Sequence, residues 1–219
     1  MKWNIPNILS VMRLVASPML AVMFLYFTRP YADWFALCLF IVASVTDWFD
    51  GYLARAWGQE TRMGAMVDPI ADKAMVVIAL MVIVGYSSMS PSLVLPATVI
   101  LFREVFVSGL REFLGDVAGT LKVTNLAKWK TATQMIAITF LFAQGVFEHY
   151  LGMSTIGMDA EIVSQILGGE ISDDHGLKWK LDGMVWAGWI GMVLLWIAAA
   201  LTAITGFDYF RKAVPHLKD

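Results

Sequence analysis

Residues 47–73 read DWFDGYLARAWGQETRMGAMVDPIADK. This segment joins two apolar stretches, 31–49 and 67–86, each close to the roughly 20 residues that cross a bilayer as a helix. Asp47 and Asp50 stand three apart at the end of the first stretch. Asp68 and Asp72 stand four apart at the start of the second. On a helix both spacings place the pair on one face. The segment therefore predicts two antiparallel helices that bring four carboxylates together at one end.

Further apolar stretches cover 8–28, 92–114, 131–150 and 184–210, which makes six. The chain has 219 residues, 58% of them hydrophobic and 16% charged, with a mean hydropathy of +0.66. A soluble domain carries about 45–50% apolar and about 25% charged residues. The predicted fold is an all-α integral membrane protein with six transmembrane helices, forming a single domain over 1–219. No alternating ten-residue pattern predicts a barrel. Cys38 is the one cysteine, which excludes a disulfide scaffold. The formal charge of −2 gives no reason to expect nucleic acid as a partner. Stretch 8–28 contains Arg13 and lacks a clear small-residue cleavage site, so it is expected to be a retained helix.

Basic residues orient the chain. Lys2, Arg55, Arg62, Lys73, Arg111, Lys122, Lys128, Lys130, Arg211, Lys212 and Lys218 fall on one side of the six-stretch topology. Arg29, Lys178 and Lys180 fall on the other. Both termini and the acid-bearing end are thus expected in the cytoplasm. The connection 151–182 then lies outside, as an acidic solvated loop with at most one short surface helix.

A charge within the bilayer costs roughly 2.5–3.5 kcal/mol on insertion scales, so four acids at one membrane depth invite a functional reading. Four adjacent carboxylates repel unless neutralised. With no His or Cys among them, hard divalent cations, Mg²⁺ or Mn²⁺, are the natural counter-charge. Gly51, Ala54 and Gly64 leave room for a ligand to approach backbone, and Arg55 supplies a donor suited to phosphate. The alternative of an ion pathway predicts acids spread through the membrane depth, whereas these sit at one end. His149, His175 and His216 are scattered and suggest no metal trio or triad.

The run Asp47-x2-Asp50-Gly51-x2-Ala54-Arg55-x8-Gly64-x3-Asp68-x3-Asp72 resembles the signature of the CDP-alcohol phosphotransferase family at every fixed position. Asn4 to Ser10 with Arg13, Thr46 to Gly51, Arg103-Glu104, Leu110-Arg111-Glu112 and Lys128 to Met135 further resemble the branch whose acceptor is sn-glycerol 3-phosphate. The likeness covers roughly residues 1–145 and resumes weakly in the last stretch.

The resemblance implies a six-helix, homodimeric membrane enzyme. It would move the phosphatidyl group of CDP-diacylglycerol to sn-glycerol 3-phosphate and release CMP. Asp47, Asp50 and Asp68 are then metal ligands, with two ions expected, and Asp72 combines ligation with the role of general base. Asp47, Gly51, Ala54, Arg55 and Gly64 shape the CDP pocket. The acceptor's own phosphate needs separate cations. Arg103 and Arg111, eight residues apart on one side of a helix, and Lys130 are the candidates. Arg13 is expected to snorkel to the headgroups. The alternatives are another acceptor, such as inositol phosphate, and an ion-coupled transporter. The same branch motifs imply a bacterial cytoplasmic membrane.

Overall fold

The computed structural model describes the backbone of residues 5–57, 61–120 and 125–217. It describes side chains there except at 5, 6, 47–57, 62, 116, 118, 120 and 125. All regular structure among the described residues is helical: α1 (Ile5–Tyr26), α2 (Tyr31–Trp57), α3 (Arg62–Tyr86), α4 (Pro91–Leu114), α5 (Asn125–Thr155), α6 (Ala160–Gly168) and α7 (Leu177–Ala213), with short 3-10 turns at Gly115–Thr120 and Val214–His216.

Against the six expected spans, four helices among the described residues are long and apolar enough to cross a membrane. These are Asn7–Tyr26, Pro91–Leu114, Leu126–Thr155 and Leu177–His216. The described apolar part of α2, Tyr31–Thr46, is shorter. The chain is thus an all-helical, multi-pass membrane protein. Its outer surface bears the large apolar side chains that lipid requires, Phe102, Val105, Phe113, Trp186 and Trp189 among them.

The helix ends follow local chemistry. Thr61 caps α3 by accepting the Gly64 N–H at 3.0 Å. Pro91 opens α4 at a position where a missing N–H is harmless. Gly169, at φ +85°, ends α6 in the left-handed region. Asp173 receives the Leu177 and Lys178 N–H groups at 2.6 and 2.9 Å, satisfying orphan donors at the start of α7. These bonds hold its carboxyl below the usual carboxylate range.

The connection 151–182 carries the short helix allowed for it, α6, between the ends of two longer helices. α5 runs on to Thr155, α6 packs on α7 and buries Ile166, and α7 begins at Leu177. Hydropathy alone ends a span where polar residues appear, but the helix continues past that point because its backbone bonds persist in water.

The packed pairs close a ring, α1–α2–α5–α7–α4–α3 and back to α1. α1 packs on both α2 and α3. The side chains of the acid-bearing end of α2, 47–57, lie outside the described residues, so the hairpin expected from residues 47–73 is not tested by these contacts. The seam between α5 and α7 is the most extensive, and its closeness rests on glycine. A Cβ on Gly191 would lie 2.9 Å from Leu141 Cγ. One on Gly188 would lie 2.9 Å from Gln144, and one on Gly183 would lie 2.6 Å from Phe147. Small residues let helix backbones approach in lipid, where apolar burial alone gives little drive. Ala32, Ala36 and Ala43 do the same for α2, around Phe40 and Phe142.

At one end of the ring Arg29 binds Asp33 through two bonds of 2.7 and 2.8 Å. It also donates to the Gly145 carbonyl at 3.1 Å and to Glu148 at 3.3 Å. This clasp ties the α1–α2 turn to α5. The opposite end gathers the starts of α1, α3 and α5 and the finishes of α2, α4 and α7.

Gly191→Val should destabilise the protein by about 1–3 kcal/mol through overpacking. Gly85→Ala, whose Cβ would meet nothing within 4 Å, should leave thermal stability in detergent unchanged or slightly raised. Equal losses from both would remove the seam from this role. Asp173→Asn should lower the melting temperature at neutral pH. The folded carboxyl titrates below its unfolded value of about 3.9, so the stabilisation is present above that value. The gap between variant and wild type should therefore close as pH falls through the folded value. A gap that persisted there would rule out the charged cap.

Candidate functional site

The acid end is built on three helices. The first turn of α3 starts at Thr61, whose hydroxyl donates to Asn7 Oδ1 at 2.8 Å. A Cβ on Gly64 would lie 2.8 Å from that same Asn7 oxygen and 3.8 Å from Asp68 Oδ2. Gly64 is thus the point where α1 comes closest to the acid-bearing turn. Asp68 and Asp72 follow one and two turns later. Asp68 Oδ1 is buried and has no hydrogen-bond partner among the described residues. Asp72, with a side chain 43% exposed, accepts from Arg13 at 3.1 Å.

Arg13 does not snorkel. Its side chain is only 6% exposed and turns inward to Asp72. A buried guanidinium needs a counter-charge, and a carboxylate one helix away supplies it more directly than the headgroups. Asn7, Ser10, Arg13 and Ser17 are all buried and recur every three or four residues, so α1 presents one polar face inside the bundle. The sequence signal was that recurrence within an otherwise apolar stretch.

Asp47, Asp50, Gly51, Ala54 and Arg55 fall on the last turns of α2, and their side chains lie outside the described residues. Among the described residues no three His, Cys, Asp or Glu form a metal-binding group. The donor set that is described nonetheless fits a hard cation. Asp68 leaves one carboxylate oxygen buried without a hydrogen-bond donor, and both described ligand candidates offer oxygen alone.

Next to Asp72 the site changes sign. Lys73 Nζ donates to Ser108 Oγ at 2.6 Å, and that hydroxyl donates to the Glu104 carbonyl at 2.6 Å. The Glu104 carboxylate accepts from Lys130 and from Arg103, the latter at 3.2 Å. Arg103 and Lys130 are thus brought together on one carboxylate oxygen, with Lys73 alongside. Two cations share one carboxylate oxygen and a third is held nearby through Ser108, an arrangement that favours an incoming anion.

Arg103 has its stem against Gly206 of α7, where a Cβ would lie 2.9 Å from its Cγ. It also borders an apolar groove of about 530 Å³ between α4 and α7, lined by Phe102, Phe106, Phe207 and Phe210. Arg111 is exposed, with its guanidinium carbon 5.2 Å from the centre of the Tyr209 ring. Both arginines therefore face α7, but only Arg103 joins the Glu104 cluster. Lys73 and Glu104 are the members that spacing did not single out as a site, because their role depends on contacts between helices.

Comparison with known proteins agrees with this geometry. The family description CDP-alcohol phosphatidyltransferase matches residues 3–204. A protein of Cereibacter sphaeroides named CDP-diacylglycerol–glycerol-3-phosphate 3-phosphatidyltransferase is 61% identical over 219 residues, covering 100% of this chain and 99% of its own. Proteins with the same name from Rickettsia bellii and Shigella flexneri are 36% and 32% identical. The first match covers 95% of this chain and 94% of its own, and the second covers all of both. With the signature acids on α2 and α3, the cation cluster beside them and a match over most of its length, the chain belongs to the CDP-alcohol phosphatidyltransferase family.

Proposed function

We propose that this chain transfers the phosphatidyl group of CDP-diacylglycerol to sn-glycerol 3-phosphate, giving phosphatidylglycerophosphate and CMP. The observation that carries the reading is the pairing of an acid site with an adjacent cluster of cations, buried Lys130 and half-buried Arg103 and Lys73. Such an arrangement suits an acceptor that brings both a nucleophilic hydroxyl and a phosphate of its own. The name borne by the relative 61% identical over the whole chain favours glycerol 3-phosphate over inositol phosphate or ion-coupled transport.

In this reading Asp47, Asp50, Asp68 and Asp72 hold two divalent ions, Mg²⁺ or Mn²⁺. When bound, these ions neutralise the pyrophosphate and the charge that develops on it. Gly51, Ala54, Arg55 and Gly64, with Asp47, shape the pocket for CDP. Arg103 and Lys130 take the acceptor's phosphate, and Arg111 supports it from the rim. Asp72 accepts the proton of the primary hydroxyl as that oxygen bonds to the phosphatidyl phosphorus. The anhydride bond to CMP breaks, and CMP leaves with the electron pair. Arg13, bonded to Asp72, keeps that carboxylate turned into the site.

All six long helices cross the cytoplasmic membrane in this proposal, and the whole chain is one catalytic domain. Both termini and the site face the cytoplasm, and the segment about α6 faces outward. The working unit is a homodimer among membrane lipids.

The direct test is CMP release by purified protein with CDP-diacylglycerol and glycerol 3-phosphate. Activity should vanish on chelation and return with Mg²⁺ or Mn²⁺. A folded sample silent with this acceptor but active with inositol phosphate would change the acceptor, and one silent with every alcohol would overturn the reading. Asp72→Asn should lower kcat by about 10²-fold or more, and near-normal turnover would remove Asp72 as the base. Arg103→Met should raise KM for glycerol 3-phosphate about tenfold or more while leaving KM for the lipid donor nearly unchanged. An equal rise in both constants would place Arg103 outside the phosphate site.

A further inference from the structure

Beyond the cations, the same end of the bundle buries three polar side chains whose chemistry is not yet used. Gln134 on α5 is 2% exposed, and Thr202 and Tyr209 on α7 are 0% and 5% exposed. Gln134 Oε1, Thr202 Oγ1 and the Tyr209 hydroxyl are buried and have no hydrogen-bond partner among the described residues. Buried polar atoms in native proteins are almost always paired, so three orphans on two neighbouring helices call for a ligand. The neighbouring Thr205 is a useful contrast, since its hydroxyl is satisfied by the Leu201 carbonyl at 2.8 Å.

Their placement follows from the helix register. On the α5–α7 seam Leu141 packs on Gly191, Gln144 on Gly188 and Phe147 on Gly183. The two helices are antiparallel, so Lys130 and Gln134 of α5 lie toward the same end of the seam as Thr202 and Tyr209 of α7. Gly206, one turn beyond Thr202, carries the stem of Arg103, and Tyr209 lies under the guanidinium of Arg111. Thr202, Gly206 and Tyr209 share one face of α7 at i, i+4 and i+7. Thr202 and Tyr209 thus flank, along α7, the glycine that carries the Arg103 stem, and Gln134 stands one turn beyond Lys130 on α5. Arg103 Nε, also buried without a partner, is directed to the same α7 face, 3.7 Å from where a Gly206 Cβ would stand.

We infer that Gln134, Thr202 and Tyr209 are specificity-determining residues that hydrogen-bond the hydroxyl groups of a phosphorylated polyol, the phosphate of which is held by Arg103 and Lys130. The inference rests on the proposed reaction. Phosphate binding alone accepts any phosphorylated alcohol. A carboxamide oxygen and two hydroxyls, all buried and without a partner among the described residues, favour an acceptor that carries a second hydroxyl. An analogue without it leaves these groups unsatisfied. Sites built to hydrogen-bond a hydroxyl reject the analogue that lacks it by about 10⁴–10⁵-fold at best, far more than an apolar pocket achieves.

The probe is 3-hydroxypropyl phosphate, which keeps the phosphate and the primary hydroxyl but lacks the secondary one. With purified full-length protein, CDP-diacylglycerol and Mg²⁺, the wild type should prefer glycerol 3-phosphate by at least about 100-fold in kcat/KM. In the combined variant Gln134→Met, Thr202→Val, Tyr209→Phe the preference should shrink at least tenfold. It should do so through a higher KM for glycerol 3-phosphate, with kcat for the analogue changed less than threefold. Thr205→Val, which removes a hydroxyl already satisfied, should leave the ratio as in the wild type. If the combined variant fails to elute as folded protein, the single variants Thr202→Val and Tyr209→Phe read the same ratio. A wild type without preference, or variants within threefold of the wild-type ratio, would overturn the inference and leave the orphan atoms to water. Either result is distinct from failure of the proposed reaction, in which folded wild type would transfer to neither acceptor.

Discussion

Glu104 is the group on which the site end of this bundle depends. A lysine or arginine inside an apolar helix bundle is costly unless it meets an opposite charge, and removing one partner of a buried pair is worse than never having the pair. Glu104 accepts from both Lys130 and Arg103, so one carboxylate on α4 anchors α5 and fixes its own helical neighbour. The Ser108 hydroxyl carries the connection back to Lys73 of α3, one residue from Asp72. Three helices are thereby held around one anion, and the acid site is joined to the basic one through adjacent residues of α3.

α1 performs the matching task on the acid side. Both acid-bearing helices, α2 and α3, pack on it. From α1, Arg13 reaches Asp72 from within the bundle, and Asn7 meets the cap of α3 through Thr61. The helix that hydropathy treats as a simple anchor is a wall of the site.

What was legible in the sequence was what depends on spacing along one helix. The paired aspartates, the apolar lengths and the signature from Asp47 to Asp72 are all short-range patterns, and they sufficed for the fold class and the family. What was not legible depends on which helices touch. Arg13 reads as a snorkelling residue because its partner lies 59 residues away. Glu104 reads as a local mate of Arg103, and only the packing adds Lys130 from 26 residues on. In the segment 151–182 the sequence allows the short helix α6 but hides the ends of α5 and α7, because hydropathy is blind to helical turns that leave the membrane.

The distribution of satisfied and unsatisfied groups separates the two ends of the molecule. At the α1–α2 turn Asp33 is buried, and the Arg29 guanidinium takes both of its oxygens, with the Gly145 carbonyl and Glu148 completing the arginine's own contacts. A Cβ on Gly145 would lie 2.6 Å from Asp33, so the clasp forms where α5 comes close to the α1–α2 turn. A cavity of about 160 Å³ borders the clasp, but the charged groups on it are already paired with one another. At the other end, among the described residues, Asp68, Arg103, Gln134, Thr202 and Tyr209 each leave a buried polar atom without a partner. A fold that satisfies its buried charges at one end, by the same helices, is able to do so at the other. Groups left open there raise the energy of the empty end and would be compensated by a ligand that pairs with them. That difference in free energy, more than the mere presence of charged residues, sets the two ends of this bundle apart.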